Sequence, residues 1–350
     1  MTDPAADPAS QPDWSRVRLH VVTGKGGTGK STVAAALALG LASHGKNVLL
    51  CEVEGRQGIA RMFDVDPLPY AETRIATGLT SDGASPGNVY ALHVDAEAAL
   101  LEYLSMYYKL GRAGKALDRF GVIEFATTIA PGVRDVLLTG KVFEAVQRNA
   151  RNKGARQYDA VVLDAPPTGR ITQFLNVSEQ VAGLAKVGPI KSQADTMMTL
   201  FRSPRTAVHL TTVLEEMPVQ ETADGVEDLG SARLPVGGVI VNMVRPGDLT
   251  EPELAAVRAG QLDRTAIHDD LTRAGVADGA TVAPLLEELI VEAGEHAARR
   301  ALEDSQRDVV ARLRTPAGPV PTYELPRLAG GIDLGGLYEL AALLKEQGLA

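Results

Sequence analysis

One short run constrains this chain more than any other: Gly24, Lys25, Gly26, Gly27, Thr28, Gly29, Lys30, Ser31 and Thr32 in succession. The spacing G-x-x-x-x-G-K-S from Gly24 to Ser31 needs a strand before it and a helix after it. Residues 17–23 (VRLHVVT) are short and rich in β-branched side chains, which predicts the strand, and the Ala/Leu-rich residues 31–43 predict the helix. Glycines in such a loop let backbone N–H groups converge on phosphate oxygens. The start of the helix adds further free donors and its dipole. Within this arrangement Lys30 neutralises β- and γ-phosphates, and Ser31 offers its hydroxyl to Mg²⁺. Gly26, Gly27, Thr28, Gly29 and Thr32 complete the predicted nucleotide contacts.

A phosphate loop of this kind belongs to an α/β fold, and the remaining pattern agrees. Apolar runs at residues 48–51, 89–94, 160–163, 208–213 and 236–241 alternate with helical segments, as in a mostly parallel, doubly wound sheet flanked by helices. Residues 96–110 read as a helix, residues 111–147 as helix in pieces broken at Gly121 and at Pro131–Gly132, and 252–314 as polar, Ala-rich helices. A strand-like piece at 323–325, a Gly-rich turn and a helix over 337–347 close the chain. The expected organisation is a disordered segment over 1–15 and a single domain over 16–350, with helical insertions at about 96–150, 176–205 and 252–314.

Composition narrows the function classes. A net charge of −9 across 350 residues opposes a protein that coats nucleic acid. The single cysteine, Cys51, can form neither an intrachain disulfide nor a CxxC metal site. Residues 1–15 lack an apolar targeting core, and no run reaches the length of a membrane span, so a cytoplasmic location is expected. The six histidines show no metal-binding spacing.

Asp164 ends the buried run 160–163 and so emerges at the carboxyl edge of the sheet, where it is placed to hold Mg²⁺. The following Ala-Pro-Pro-Thr-Gly-Arg is stiff at proline and permissive at glycine, as a switch loop would be.

Lys25, directly after the first glycine, departs from the common loop. The run is similar to the deviant P-loop KGGxGK[ST] of a class of dimeric ATPases, in which the extra lysine reaches toward the partner's phosphates. Within that class, DAPPTGR at 164–170 resembles the DTAPTGH switch of the arsenite-pump (ArsA-type) and tail-anchored-protein-targeting ATPases. Residues 94–103, 130–136, 212–222 (TVLEEMPVQET) and 239–242 resemble further stretches of this family in the family's order. The resemblance covers residues 17–242 and implies an ATPase that binds ATP or ADP with Mg²⁺ and switches between open and closed dimers. The dimer would be a homodimer or a heterodimer with a paralogue, coupled to a protein client or membrane-associated partner, with no nucleic acid expected. It further implies that Asn242 reads the adenine edge and that the Gly-rich loop at 325–336 closes over the base.

The family's first switch carries an aspartate that orients the attacking water, and that position falls on Glu54. A carboxylate is retained with one extra methylene, so Lys25, Lys30 and Glu54 are the expected catalytic residues. The longer side chain also leaves open a weakly active subunit paired with an active paralogue. With Cys51 alone, neither the family's interface zinc nor an iron–sulfur cluster is expected. The Met-rich client-binding insertion of the targeting members is short here, with Met197, Met198, Leu200 and Phe201 as its apolar residues.

Overall fold

The computed structural model describes residues 13–55, 57–80, 85–108, 131–149, 154–177, 189–275 and 281–350. Its frame is a sheet of eight strands. In chain order these are β1 (Leu19–Gly24), β2 (Val48–Glu52), β3 (Thr73–Thr77), β4 (Asn88–His93), β5 (Ala160–Asp164), β6 (Thr206–Thr212), β7 (Val236–Val244) and β10 (Thr322–Pro326). They lie side by side in the order β10-β7-β6-β1-β5-β2-β4-β3. All pairs are parallel except β3 with β4 at one edge. Burial is continuous along β1, β2, β5 and β6, as in parallel strands covered on both faces, and it explains the unbroken apolar runs at 48–51 and 160–163.

The first helix, α1 (Lys30–Ser43), follows β1 directly and is buried around its whole circumference from Val33 to Ala42. It lies between the sheet and the last helix, α11 (Leu334–Glu346). Gly40 permits that contact: a Cβ there would sit 2.6 Å from Ala350 Cβ. The residue that reads as a weak helix breaker is a packing site. The opposite face is covered by α4 (Pro131–Gln147), α5 (Thr168–Leu175), α6 (Pro189–Phe201) and α7 (Glu216–Ser231), with Leu138, Phe174, Phe201 and Val219 in one cluster. Between β2 and β3 lies the short α2 (Gly58–Met62), and β4 leads into α3 (Ala96–Tyr108).

Beyond β7 come α8 (Glu251–Arg258), α9 (Arg264–Arg273) and the long α10 (Val282–Ala311), then a two-stranded hairpin of β8 (Arg314–Thr315) and β9 (Gly318–Pro319). The expected break at Pro131–Gly132 is the first turn of α4, because a proline at the helix start forfeits only an N–H that has no acceptor there. Gly121 and residues 109–110, parts of the helical reading of 96–147, lie outside the described residues. So do residues 1–12 of the N-terminal segment. Of the remainder, Trp14 donates from Nε1 to the Tyr323 hydroxyl at 3.2 Å and sets its ring edge against His209.

Met197, Met198, Leu200 and Phe201 are all buried in the core. None of these four forms a surface groove. Among the described residues no helix is long and apolar enough to cross a membrane.

Candidate active site

The loop after β1 leaves the middle of the sheet at its carboxyl edge, between β5 and β6. In an open parallel sheet this is where loops diverge and a ligand can enter. Gly27 and Gly29 have φ of 89° and 86°, left-handed values that residues with a Cβ adopt at a cost. Thr28 ties the loop together: its hydroxyl donates to the Lys25 carbonyl at 2.8 Å. From below, Asn242 Nδ2 donates to the Thr28 carbonyl at 2.9 Å. Asn242 is buried within β7, which continues to Val244, so it braces the loop from inside the sheet. Its Nδ2 is engaged there, which leaves Oδ1 as the acceptor the side chain can offer a base.

Lys30 and Ser31 open α1. The Ser31 hydroxyl donates to Asp164 Oδ2 at 2.6 Å, joining the two residues predicted from separate motifs to hold the metal. Burial pushes the Asp164 carboxyl up to about 6; the Ser31 hydrogen bond and Lys30 oppose this, while the charges of Glu52 and Glu54 add to it. A hydroxyl and a buried carboxylate in contact, with the charges of Glu52 and Glu54 bearing on that carboxyl, make the site electronegative. The donor set suits Mg²⁺, which takes one or two protein oxygens and completes its shell with phosphate and water. Thr32 turns the other way, its hydroxyl 3.7 Å from Met62 Sδ, and so links α1 to α2.

The loop after Asp164 is attached to this centre. Thr23 of β1 donates its hydroxyl to the Pro166 carbonyl at 2.7 Å. Arg170, on α5, reaches Asp135 on α4 at 3.4 Å. Burial raises the Asp135 carboxyl, against the pull of Arg170. The loop after Asp164 thus contacts the phosphate-loop strand at one end and a flanking helix at the other.

Lys25 is held by Glu221 of α7, Nζ to Oε2 at 3.4 Å, with both side chains about one-third exposed. Glu221 lies inside the 212–222 stretch, where its sequence signal is a carboxylate without an assigned role. Two further residues at this edge carry no pattern in the sequence. Glu52, at the end of β2, is buried, and His93, at the end of β4, stands beside it. Glu54 follows on the β2–α2 connection, near enough to Asp164 for its charge to bear on that carboxyl. Cys51 is buried inside β2, and burial pushes its thiol up to about 12, which leaves it an inert core residue.

The C-terminal glycine-rich segment also reaches the edge where β7 ends. Arg327 N–H donates to the Val244 carbonyl at 2.8 Å. A cleft of about 440 Å³ is lined there by Arg327, Leu328, Gly331, Asp333 and Glu339.

Comparison with known proteins places these features in context. The family model for anion-transporting ATPases matches residues 17–204. The chain is 52% identical over 336 residues to ATPase BagA of Mycobacterium tuberculosis, a match covering 96% of this chain and 94% of that protein. It is 31% identical over 247 residues to the arsenical pump-driving ATPase of Escherichia coli, covering 69% of this chain and 37% of that protein. To ATPase GET3 of Phaeosphaeria nodorum it is 26% identical over 208 residues, 57% of this chain and 58% of that one.

Proposed function

This chain belongs to the anion-transporting ATPase family and is an ATPase, and on that premise we propose that Mg²⁺-dependent ATP hydrolysis drives a dimer between open and closed states. The observation that carries the reading is the state of Lys25. Ion pairs as exposed as Lys25–Glu221 contribute about 0–1 kcal/mol, so Lys25 can leave Glu221 at small cost. A second phosphate-loop lysine on so weak a tether supports its transfer to a partner's phosphates, where charge-assisted contacts are stronger. Closure then follows from differential affinity, because only the ATP-bound pair offers Lys25 its new acceptor.

Each side chain has a place in the hydrolysis. The loop N–H groups and Lys30 hold the phosphates, and Ser31 and Asp164 would hold Mg²⁺. Bound there, Mg²⁺ supplies charge neutralisation on the phosphate oxygens. Glu54 orients the attacking water. Asn242 Oδ1 accepts from the adenine amino group, which guanine lacks at that position, and the cleft beside Arg327 receives the base. The switch after Asp164, joined to β1 through Thr23 and to α4 through Arg170, carries the change in phosphate occupancy to the flanking helices. The motion serves a protein client or membrane-associated partner, and the protein itself is cytoplasmic.

The test is closure itself. Small-angle scattering of the full-length protein with Mg²⁺ and a non-hydrolysable ATP analogue is expected to show a compact dimer, and Lys25→Ala to remain open although it still binds the nucleotide. Closure that survives Lys25→Ala would overturn the reading. Nucleotide binding without turnover by the purified chain would instead favour a weakly active subunit paired with a paralogue, to which the longer Glu54 side chain also points.

A further inference from the structure

Glu52 is a carboxylate that the family's phosphate chemistry does not call for, and its surroundings are unusual. It ends β2 with 2% of its surface exposed. Its Cα is in register with His93 on β4 and with Asp164 on β5. Three ionisable residues therefore stand in one row at the carboxyl edge of the sheet. Glu52 Oε1 accepts a hydrogen bond from the Gly58 backbone N–H at 2.7 Å, at the first residue of α2. Its Oε2 has no hydrogen-bond partner and lies 3.6 Å from His93 Nδ1, which is likewise buried and without one.

The segment bracketed by these contacts is the one that carries Glu54. It leaves β2 at Glu52 and enters α2 at Gly58, so Glu52 holds both of its ends, one by covalent continuity and the other by a hydrogen bond. His93 also lies under the segment: a Cβ on Gly55 would come within 4.0 Å of its Cε1. On the far side, Gln57 clamps the connection to Leu68, its Oε1 accepting from Leu68 N–H at 2.8 Å and its Nε2 donating to the Leu68 carbonyl at 3.1 Å. Gln57 takes a left-handed φ of 53° to do so. A carboxylate buried with one oxygen unbonded is unfavourable by itself. Fixing the start of a five-residue helix does not require one, whereas holding a water-orienting group to within a fraction of an ångström does require a stiff support.

We propose that Glu52 and His93 are positioning residues for hydrolysis: the pair holds the chain at Gly55 and Gly58 and with it the carboxylate of Glu54. The proposal rests on Glu54 orienting the attacking water, and the experiment separates the two claims. Steady-state ATP hydrolysis and binding of a fluorescent ATP analogue are measured for the full-length protein with Mg²⁺, alongside thermal melting. Glu52→Ala is expected to lower kcat about tenfold while KM and analogue affinity stay within about twofold, the signature of lost orientation rather than lost binding. Glu52→Gln keeps an acceptor for the Gly58 N–H and is expected to recover kcat to within about threefold of wild type. His93→Ala, made at the less buried end of the pair, is expected to lower kcat about threefold and gives a readout of its own should Glu52→Ala melt early.

Glu54→Gln is the reference. Unchanged hydrolysis in Glu54→Gln would remove the premise and the proposal together. Lost turnover in Glu54→Gln, with Glu52→Ala or a folded His93→Ala turning over as wild type, would overturn the proposal alone. Parallel loss of affinity and kcat in Glu52→Ala would also overturn it, because the residue would then serve the fold of the nucleotide site as a whole.

Discussion

His20 of β1 and His209 of β6 form a stacked, fully buried pair between neighbouring strands, with His20 Nδ1 and His209 Nε2 3.1 Å apart. Burial pushes His209 down to about 3, and burial, with the neighbouring His209 and Lys46, pushes His20 well below its ordinary value. Both rings are therefore neutral in the folded protein, whereas in the unfolded chain each titrates near 6.5. The native state binds fewer protons than the unfolded state below that value, so their contribution is intact above pH 6.5 and is lost as pH falls toward 3. For His209 alone the loss between pH 8 and pH 5 is about 2 kcal/mol, and the full window down to about pH 3 amounts to about 5 kcal/mol. His209→Gln tests this, because glutamine Nε2 can take the place of the imidazole Nε2 opposite His20 without titrating. Urea unfolding at pH 8 and pH 5 gives the two stabilities, followed by circular dichroism and by the fluorescence of Trp14, whose ring packs on His209. The variant is expected to start about 1 kcal/mol less stable at pH 8, from lost ring packing, and then to lose about 2 kcal/mol less than wild type on acidification. Equal losses in the two proteins would refute the assignment of acid lability to this pair.

Two further outcomes bear on the site. Asp164→Asn removes a carboxyl whose ordinary value burial has raised to about 6. Because a carboxyl raised on folding costs stability progressively as pH climbs from its ordinary value to about 6 and in full above that, nucleotide-free protein at pH 8 is expected to gain about 1–3 kcal/mol while Mg²⁺-dependent hydrolysis falls at least about a hundredfold; melting and phosphate-release assays read the two effects, and a destabilised variant would contradict the burial argument. Asn242→Ala leaves the Thr28 carbonyl without its side-chain donor and is expected to cost about 1–3 kcal/mol, read as a weakening of ATP affinity of about tenfold or more and a narrower preference over GTP in competition titrations; ATP affinity and preference equal to wild type would remove Asn242 from the site.

Much of this molecule is written locally. The phosphate loop is legible because backbone conformation demands glycine at particular spacings, as at Gly27 and Gly29, and the sheet because buried parallel strands such as β2 and β5 are apolar over most of their length. Asp164 is legible for a related reason: a carboxylate ending such a strand has nowhere to go but the carboxyl edge. Other elements left no comparable trace. The edge strand β3 is half-exposed and antiparallel, so it carries no continuous apolar run. Pro131 reads as a break until the chain around it shows that it stands at a helix start. Glu54 is legible through family resemblance rather than through spacing.

What the sequence could not contain is which distant residues meet. Ser31 and Asp164 lie far apart along the chain and share a hydrogen bond because β1 and β5 are neighbours. Lys25 finds Glu221, Asn242 finds Thr28, and His20 finds His209 for the same reason, through the order in which the strands assemble. Local spacing determined that a phosphate-binding loop forms and which residue types line it. The tertiary structure decided the rest, since the strand register across β4, β2 and β5 sets His93, Glu52 and Asp164 in one row, and no period in the sequence records that register.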